Sequence, residues 1–241
     1  MANDWFQFKE FIVKQDLCGM KVSTDACILG ALAYHDINTA AQSVLDIGTG
    51  TGLLSLMLGQ HKQITSVTAV ELNPNAVAQA QCNFDEAPWS SKLQVLHTDI
   101  THTHELHTCS YDIIICNPPF FSNHLPSQAA ARRMAMHDMT LTKETLAFAI
   151  TQYLKPNGKA YILYPSNEWP AWIEASSQAK IYKSKQWNIF PSMHKASNRV
   201  VGVFQKEACE TTEDLNFMIR AANNQYTDAF KQLLAPFYLN L

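Results

Sequence analysis

Between residues 43 and 164 the apolar positions follow two alternating rhythms. Ser43–Ile47, Ser66–Glu71, Leu93–His97, Tyr111–Cys116 and Lys159–Tyr164 are short apolar runs of the kind that form strands. Leu53–Gln60, Pro74–Glu86 and Lys143–Leu154 carry the longer spacing that predicts helices. Pro74 suits a first helical position, and Pro156 with Gly158 stops the third helix. Strands alternating with helices predict a parallel sheet covered on both faces, because right-handed crossovers place the helices there. Ile113–Cys116 and Ala160–Leu163 are continuously apolar, as buried parallel strands require.

The two ends of the chain differ from this block. Residues 5–13 alternate aromatic or aliphatic with polar side chains, which predicts a short strand. Residues 24–35 predict a helix capped by Ser23 or Thr24. After Ile181 come the extended segments Ile181–Phe190, Arg199–Gln205 and Leu215–Ile219, with turn signals between most of them. They predict antiparallel strands at one sheet edge, and Thr227–Leu234 predicts a short closing helix. No repeat, linker or boundary interrupts the pattern. The expectation is one α/β domain over residues 1–241, with a short N-terminal extension over residues 1–40.

Composition narrows the classes. The 241 residues are 47% apolar, enough for one large α/β core. A net charge of −3 gives no global attraction for a polyanion, so a nucleic-acid partner must be met by local Lys and Arg clusters. Six scattered cysteines form no Cys-x-x-Cys pair, which predicts reduced thiols in a cytoplasmic protein. The N-terminus lacks a basic stretch followed by an apolar core, and no apolar run has the length of a membrane span. His97, His102, His104 and His107 share one polar stretch without a Cys partner or helical spacing, so no metal site is expected.

Candidate chemistry begins at Asp46-Ile47-Gly48-Thr49-Gly50-Thr51-Gly52. Open parallel sheets bind ligands beyond the carboxyl ends of their strands, and glycines let backbone N–H groups approach a ligand. The spacing Gly-x-Gly-x-Gly differs from the dinucleotide fingerprint Gly-x-Gly-x-x-Gly. Glu71 ends the next strand, where a carboxylate can accept hydrogen bonds from both hydroxyls of a ribose. Asp99 follows the third strand, where it can accept from an adenine amine. Asp46 can orient the loop or face a cationic ligand group. Acids at three successive strand ends repel phosphate but suit ribose, adenine and an ammonium. S-adenosylmethionine has those groups and no phosphate, and is therefore the expected cofactor.

A second turn, Asn117-Pro118-Pro119-Phe120, closes the run Tyr111–Cys116. An exocyclic amine on a base is a poor nucleophile because its lone pair is shared with the ring. Two acceptors out of the ring plane can bind its N–H groups and draw the nitrogen toward tetrahedral geometry. The Asn117 side-chain oxygen and the Pro118 carbonyl are candidates. Prolines hold the turn rigid and bring no N–H of their own. Phe120 can stack on the base. The combination points to methyl transfer onto an amine of a base or amide.

These motifs resemble the class I S-adenosylmethionine-dependent methyltransferases that act on amines. The resemblance extends to Lys21-Val22-Ser23-Thr24-Asp25, DIGTGTGLLSLML, AVELNPNAVAQAQCN, Pro88-Trp89, Ile219-Arg220, Gln225-Tyr226 and Phe237-Tyr238-Leu239, in this order. That order is similar to the bacterial tRNA(Val) (adenine-N(6))-methyltransferase family, which modifies the adenine next to the anticodon. The resemblance implies a Rossmann-like, mostly parallel sheet with antiparallel C-terminal edge strands, and a tRNA partner. It implies that Asp46, Gly48, Gly50 and Glu71 line the methionine and ribose side of the cofactor. Leu72, Asp99 and Ile100 would line the adenine side, and Thr24 would approach the carboxylate tail. Asn117, Pro118 and Phe120 would carry catalysis, with Asn117 also beside the cofactor. Adenine and glutamine enzymes commonly have Tyr at position 120. Phe keeps the stacking face, and it is frequent in guanine-N(2) methyltransferases of ribosomal RNA.

Those ribosomal RNA enzymes are the nearest alternative, though many carry an additional domain for which this chain has no room. Glutamine methylation of release factors is another, but that family has a long helical N-terminal domain. Arg132 and Arg133, in the long segment Phe121–Thr140 with His137, either meet tRNA phosphates or are surface charges on a helix. Lys183, Lys185, Lys195 and Arg199 form a second basic stretch, read as an RNA contact.

Overall fold

The computed structural model describes residues 3–38, 42–119 and 141–241. Two short strands, β1 (Trp5–Gln7) and β2 (Ile12–Lys14), precede helix α1 (Thr24–His35). The Rossmann-like block follows as β3 (Gln42–Ile47), α2 (Leu53–Gly59), β4 (Ile64–Glu71), α3 (Pro74–Asp85), β5 (Leu93–His97) and β6 (Tyr111–Cys116). Next come α4 (Lys143–Tyr153), β7 (Leu154–Pro165), α5 (Trp169–Gln178), β8 (Tyr182–Ser192), β9 (Arg199–Gln205), β10 (Glu213–Arg220) and α6 (Asp228–Leu234).

Eight strands form one sheet in the order β10-β8-β9-β7-β6-β3-β4-β5. The pairs β5–β4, β4–β3, β3–β6 and β6–β7 are parallel. The expected antiparallel pairing is present at the C-terminal end, where β9 runs against both β7 and β8. The outermost strand departs from the expectation of antiparallel pairing, because β10 runs parallel to β8. Among the described strands of this sheet β9 alone is reversed, and the carboxyl ends of the other seven share one rim.

Side chains alternate across the sheet as the strand period dictates. Val44, Ile113, Ile115, Tyr161 and Leu163 join a core with α1, α2, α3 and α6. Leu45, Ile47, Ile114, Cys116 and Ile162 join a second core with α4 and α5. Covering both faces explains why these strands are apolar at consecutive positions.

The prediction of one strand over residues 5–13 is corrected to a hairpin. Phe8 N–H donates to the Phe11 carbonyl at 2.9 Å, turning the chain at Lys9-Glu10. Phe8, Phe11 and Val13 enter the first core. Helix α5 is absent from the sequence prediction, although Trp169, Trp172 and Ser176 recur at helical spacing. It lacks a side-chain cap, and its core contact is made by Trp169, Trp172, Ala175 and Ser176. Ser23, of the two candidates, caps α1 by accepting from Ala26 N–H at 3.2 Å.

Buried amides fasten the N-terminal segment to the Rossmann-like block. Asn83 is 1% exposed. Its Nδ2 donates to the carbonyls of Lys14 at 2.9 Å and Thr51 at 2.8 Å, and its Oδ1 accepts from Lys14 N–H at 2.9 Å. Gln79 accepts from Leu17 N–H at 2.8 Å. Within the N-terminal segment itself, Gln15 accepts from Val22 N–H at 2.8 Å. Each backbone group would otherwise be desolvated without a partner. Replacing Asn83 by Ala is therefore expected to cost about 3 kcal/mol, as a lower urea midpoint with an unchanged slope.

Candidate active site

Asp46 and Ile47 are the last residues of β3, and Asp46 points toward α2. The carboxylate is fully buried. Its Oδ2 accepts from Thr49 Oγ1 at 2.6 Å, Ser55 Oγ at 2.7 Å and Ser55 N–H at 3.2 Å. Its Oδ1 is buried without a partner among the described residues. Of the two roles open from sequence, this geometry is that of a loop anchor. Burial pushes the Asp46 carboxyl up to about 6, against the Thr49 and Ser55 hydrogen bonds. Ser55 was not evident as its partner from sequence. The only signal was one hydroxyl within an apolar helical run.

Above this anchor the loop turns on Gly48, Gly50 and Gly52, with φ of +71°, +57° and +83°. A Cβ at Gly52 would meet Phe84 Cε1 at 2.5 Å, so this glycine serves helix packing. A Cβ at Gly48 or Gly50 would meet nothing within 4 Å. These two face open space at the rim of the sheet.

Glu71 ends β4 beside this loop. Its Oε2 accepts from Gly50 N–H at 3.0 Å, and its Oε1 accepts from Leu72 and Asn73 N–H, each at 2.9 Å. A carboxylate offers about four acceptor directions, so one remains at Oε2. Leu72 is 41% exposed and presents an apolar side chain at the same rim. Its carbonyl is held by His97 Nε2 at 3.0 Å. Asp99 accepts from Thr101 N–H at 2.8 Å and Thr101 Oγ1 at 2.7 Å, closing the turn after β5. Burial would raise its carboxyl, but the bonds from Thr101 and His102 outweigh it and hold it below the usual range. The Ile100 side chain is buried in the second core, and its carbonyl lies 3.5 Å from the Tyr153 hydroxyl.

Thr24 reaches this rim as the exposed first residue of α1. Its side chain hydrogen-bonds Tyr238, which also bonds Cys27. Next to it, Asp25 pairs with Arg199 at the start of β9 at 2.9 Å. The Cys18 thiol is pushed up to about 11 by burial, with the Glu71 carboxylate adding to the effect, so the segment before α1 passes near Glu71.

The deciding arrangement is between neighbouring strands. Ile47 of β3 pairs in register with Cys116 of β6 on one side and Val70 of β4 on the other. The glycine loop, Glu71 and Asn117 therefore leave adjacent strands at one level, with neighbouring strands about 5 Å apart. The chain order, β5 on one side of β3 and β6 on the other, makes this the topological switch point where such sheets bind ligands. Asn117 Oδ1 is buried and has no hydrogen-bond partner among the described residues. Pro118 is buried and Pro119 exposed. Phe120, Arg132, Arg133 and the segment Phe121–Thr140 lie outside the described residues.

A family described as methyltransferase small domain matches residues 28–164. A tRNA1(Val) (adenine(37)-N6)-methyltransferase of Cytophaga hutchinsonii is 38% identical over 241 residues, the whole of both chains. The chain belongs to this methyltransferase family. The relative with the same name in Vibrio vulnificus is 36% identical over 98% of this chain and 96% of its own. A predicted O-methyltransferase of Agrobacterium tumefaciens superposes with a TM-score of 0.69 at 17% identity, over 90% of this chain and all of its own. A TehB-like SAM-dependent methyltransferase of Corynebacterium glutamicum gives 0.51 at 18% identity, over 78% and 90%. At these identities the two superpositions speak to the fold alone.

Among the described residues no group of three His, Cys, Asp or Glu side chains is placed to hold a metal ion. No described helix is long and apolar enough to cross a membrane.

The raised Asp46 carboxyl has a consequence for stability. A carboxylic acid whose folded pKa exceeds its unfolded value favours the fold below about 3.8, and that contribution is lost as pH rises through about 6. Between pH 4 and 7 the stability difference between the parent and Asp46→Asn should change by on the order of 3 kcal/mol in favour of the variant. Urea titrations of both proteins at each pH measure it, and a constant difference contradicts burial as the cause.

Proposed function

We propose that the chain transfers a methyl group from S-adenosylmethionine to the N(6) amine of the adenine next to the anticodon of tRNA(Val). The observation that carries this reading is the pairing of Ile47 with Cys116, which sets the glycine loop beside an Asn117 oxygen that is buried and has no partner among the described residues. The relatives named for this reaction match at full length.

The residues fit the cofactor. Open space at Gly48 and Gly50 admits a ligand to the backbone, and the one open acceptor direction of Glu71 suits a ribose hydroxyl. Leu72 offers an apolar face to adenine, Asp99 and the Ile100 backbone its polar edge, and Thr24 a hydroxyl to the carboxylate end. The acidic rim disfavours a phosphate-bearing cofactor. When bound, S-adenosylmethionine supplies an electrophilic methyl group on a sulfonium.

The protein's own part is to hold the amine. Asn117 Oδ1 accepts one N–H of the target amine and the Pro118 carbonyl accepts the other, so the nitrogen lone pair leaves the ring plane. Phe120 stacks on the extruded base. These are fixed dipoles whose reorganisation is complete before reaction, and no strong base is required. Asp46 acts at one remove, by fixing the loop. Arg132 and Arg133 are assigned to RNA phosphates near the target. Hairpin β1–β2 shares the first core with α1–α3, so we read residues 1–241 as one methyltransferase unit. A tRNA substrate would place it in the cytoplasm.

Mass analysis of nucleosides from cellular tRNA, with and without the protein, should show one N(6)-methyladenosine that depends on it. Label appearing in guanine of ribosomal RNA instead overturns the assignment of base and RNA. Asn117→Ala should lower turnover by about 10²- to 10³-fold and leave tRNA affinity within twofold. Equal losses in turnover and affinity contradict a role confined to the reacting amine.

A further inference from the structure

Most described cations near the C-terminal half of the sheet are neutralised by carboxylates. Lys183 pairs with Asp214 at 2.7 Å, Lys185 with Glu213 at 2.7 Å and Arg199 with Asp25 at 2.9 Å. Three of the four residues of the basic stretch expected to meet RNA are thereby held by acids of the protein. Lys143, Lys155 and Lys159 are similarly paired with Glu168, Asp112 and Asp36.

Lys195 and Arg220 differ. Neither meets a carboxylate among the described residues, and the fold brings them together. Arg220, the last residue of β10, pairs in register with Ser192, the last residue of β8. Lys195 sits on the β8–β9 turn, its N–H donating to the Ser192 carbonyl at 3.1 Å. The Arg220 guanidinium lies 4.2 Å from the centre of the Tyr226 ring and donates to the Asn224 carbonyl at 2.7 Å. Tyr226 stacks on the buried Phe230 at 4.4 Å, which gives the shelf a rigid base. Exposed Met193 and His194 complete the turn.

Both strands run parallel to β6, so their carboxyl ends lie on the same rim as Asn117. Four strand spacings across the sheet and, by the register, five residues along it separate Asn117 from Arg220, or roughly 25 Å. That is too far for contact with the target nucleotide. It suits the backbone of the same RNA several nucleotides away.

We propose that the Lys195 turn and the Arg220–Tyr226 shelf form a docking surface for the phosphate backbone of the substrate tRNA. In a chain of net charge −3 long-range attraction is weak, so two adjacent cations without acid partners have a disproportionate share in meeting a polyanion. Tyr226 pre-orients the guanidinium, which lowers the ordering cost of each phosphate contact. The proposal rests on tRNA being the substrate.

The test is the affinity of an unmodified tRNA(Val) transcript, measured by fluorescence anisotropy from about 50 to 200 mM salt. For Arg220→Gln/Lys195→Gln the dissociation constant should rise on the order of tenfold, and the salt slope should fall by about two. Binding of S-adenosylhomocysteine and turnover at saturating tRNA should stay within twofold. If the double variant also loses S-adenosylhomocysteine binding, Lys195→Glu alone decides, because its side chain sits on an exposed turn. That single variant should show at least a fivefold weaker affinity. Unchanged tRNA affinity and salt slope in the deciding variant overturn this surface and leave the catalytic assignment intact. Absence of tRNA binding by the parent overturns both.

Discussion

Everything in the candidate site depends on the parallel register of three central strands. Ile47 is bonded in line with Val70 and Cys116, so three chain segments leave the sheet at one height. Because side chains alternate, a slip of one residue in β3 would turn Asp46 away from α2 and Ser55 and carry an apolar neighbour into its place. The two covered faces prevent this. Val44 belongs to one core and Leu45 to the other, and each matches the packing of its own side.

The acids at the strand ends act first on the protein's own backbone. Asp46 takes three bonds from Thr49 and Ser55, Glu71 takes three backbone N–H groups, and Asp99 closes its turn through Thr101. Their contribution to ligand recognition is therefore largely to fix a shape, with few acceptor directions left over. A rigid, acidic rim selects against phosphate and for a cofactor carrying hydroxyls and cationic groups. Asn117 is the contrast. Its oxygen is shielded from solvent and has no hydrogen-bond partner among the described residues.

Charge follows the same division. Most lysines around the C-terminal strands are tied to carboxylates, which limits their value for attracting a polyanion. Lys195 and Arg220, which meet no carboxylate among the described residues, stand at the ends of strands on the same side of the sheet as Asn117. The same directionality of the sheet thus organises both the cofactor side and the surface assigned to RNA.

The amino-acid sequence by itself determined the alternating strand–helix block, the glycine turn, the acids at strand ends and the Asn-Pro-Pro-Phe turn. Each is a local pattern whose period or turn chemistry is carried by neighbouring residues. It also carried the resemblance to the family. What it could not hold were facts set by residues far apart. The hairpin in residues 5–13 is fixed by Phe8, Phe11 and Val13 packing in a core shared with distant helices, and α5 by Trp169 and Trp172 packing in the other core. Ser55 under Asp46, the fastening role of Asn83 and the loss of Lys183, Lys185 and Arg199 to acid partners likewise emerge only on folding. Pairing, burial and register depend on which segments lie side by side in space, and periodicity along one chain contains no such distance.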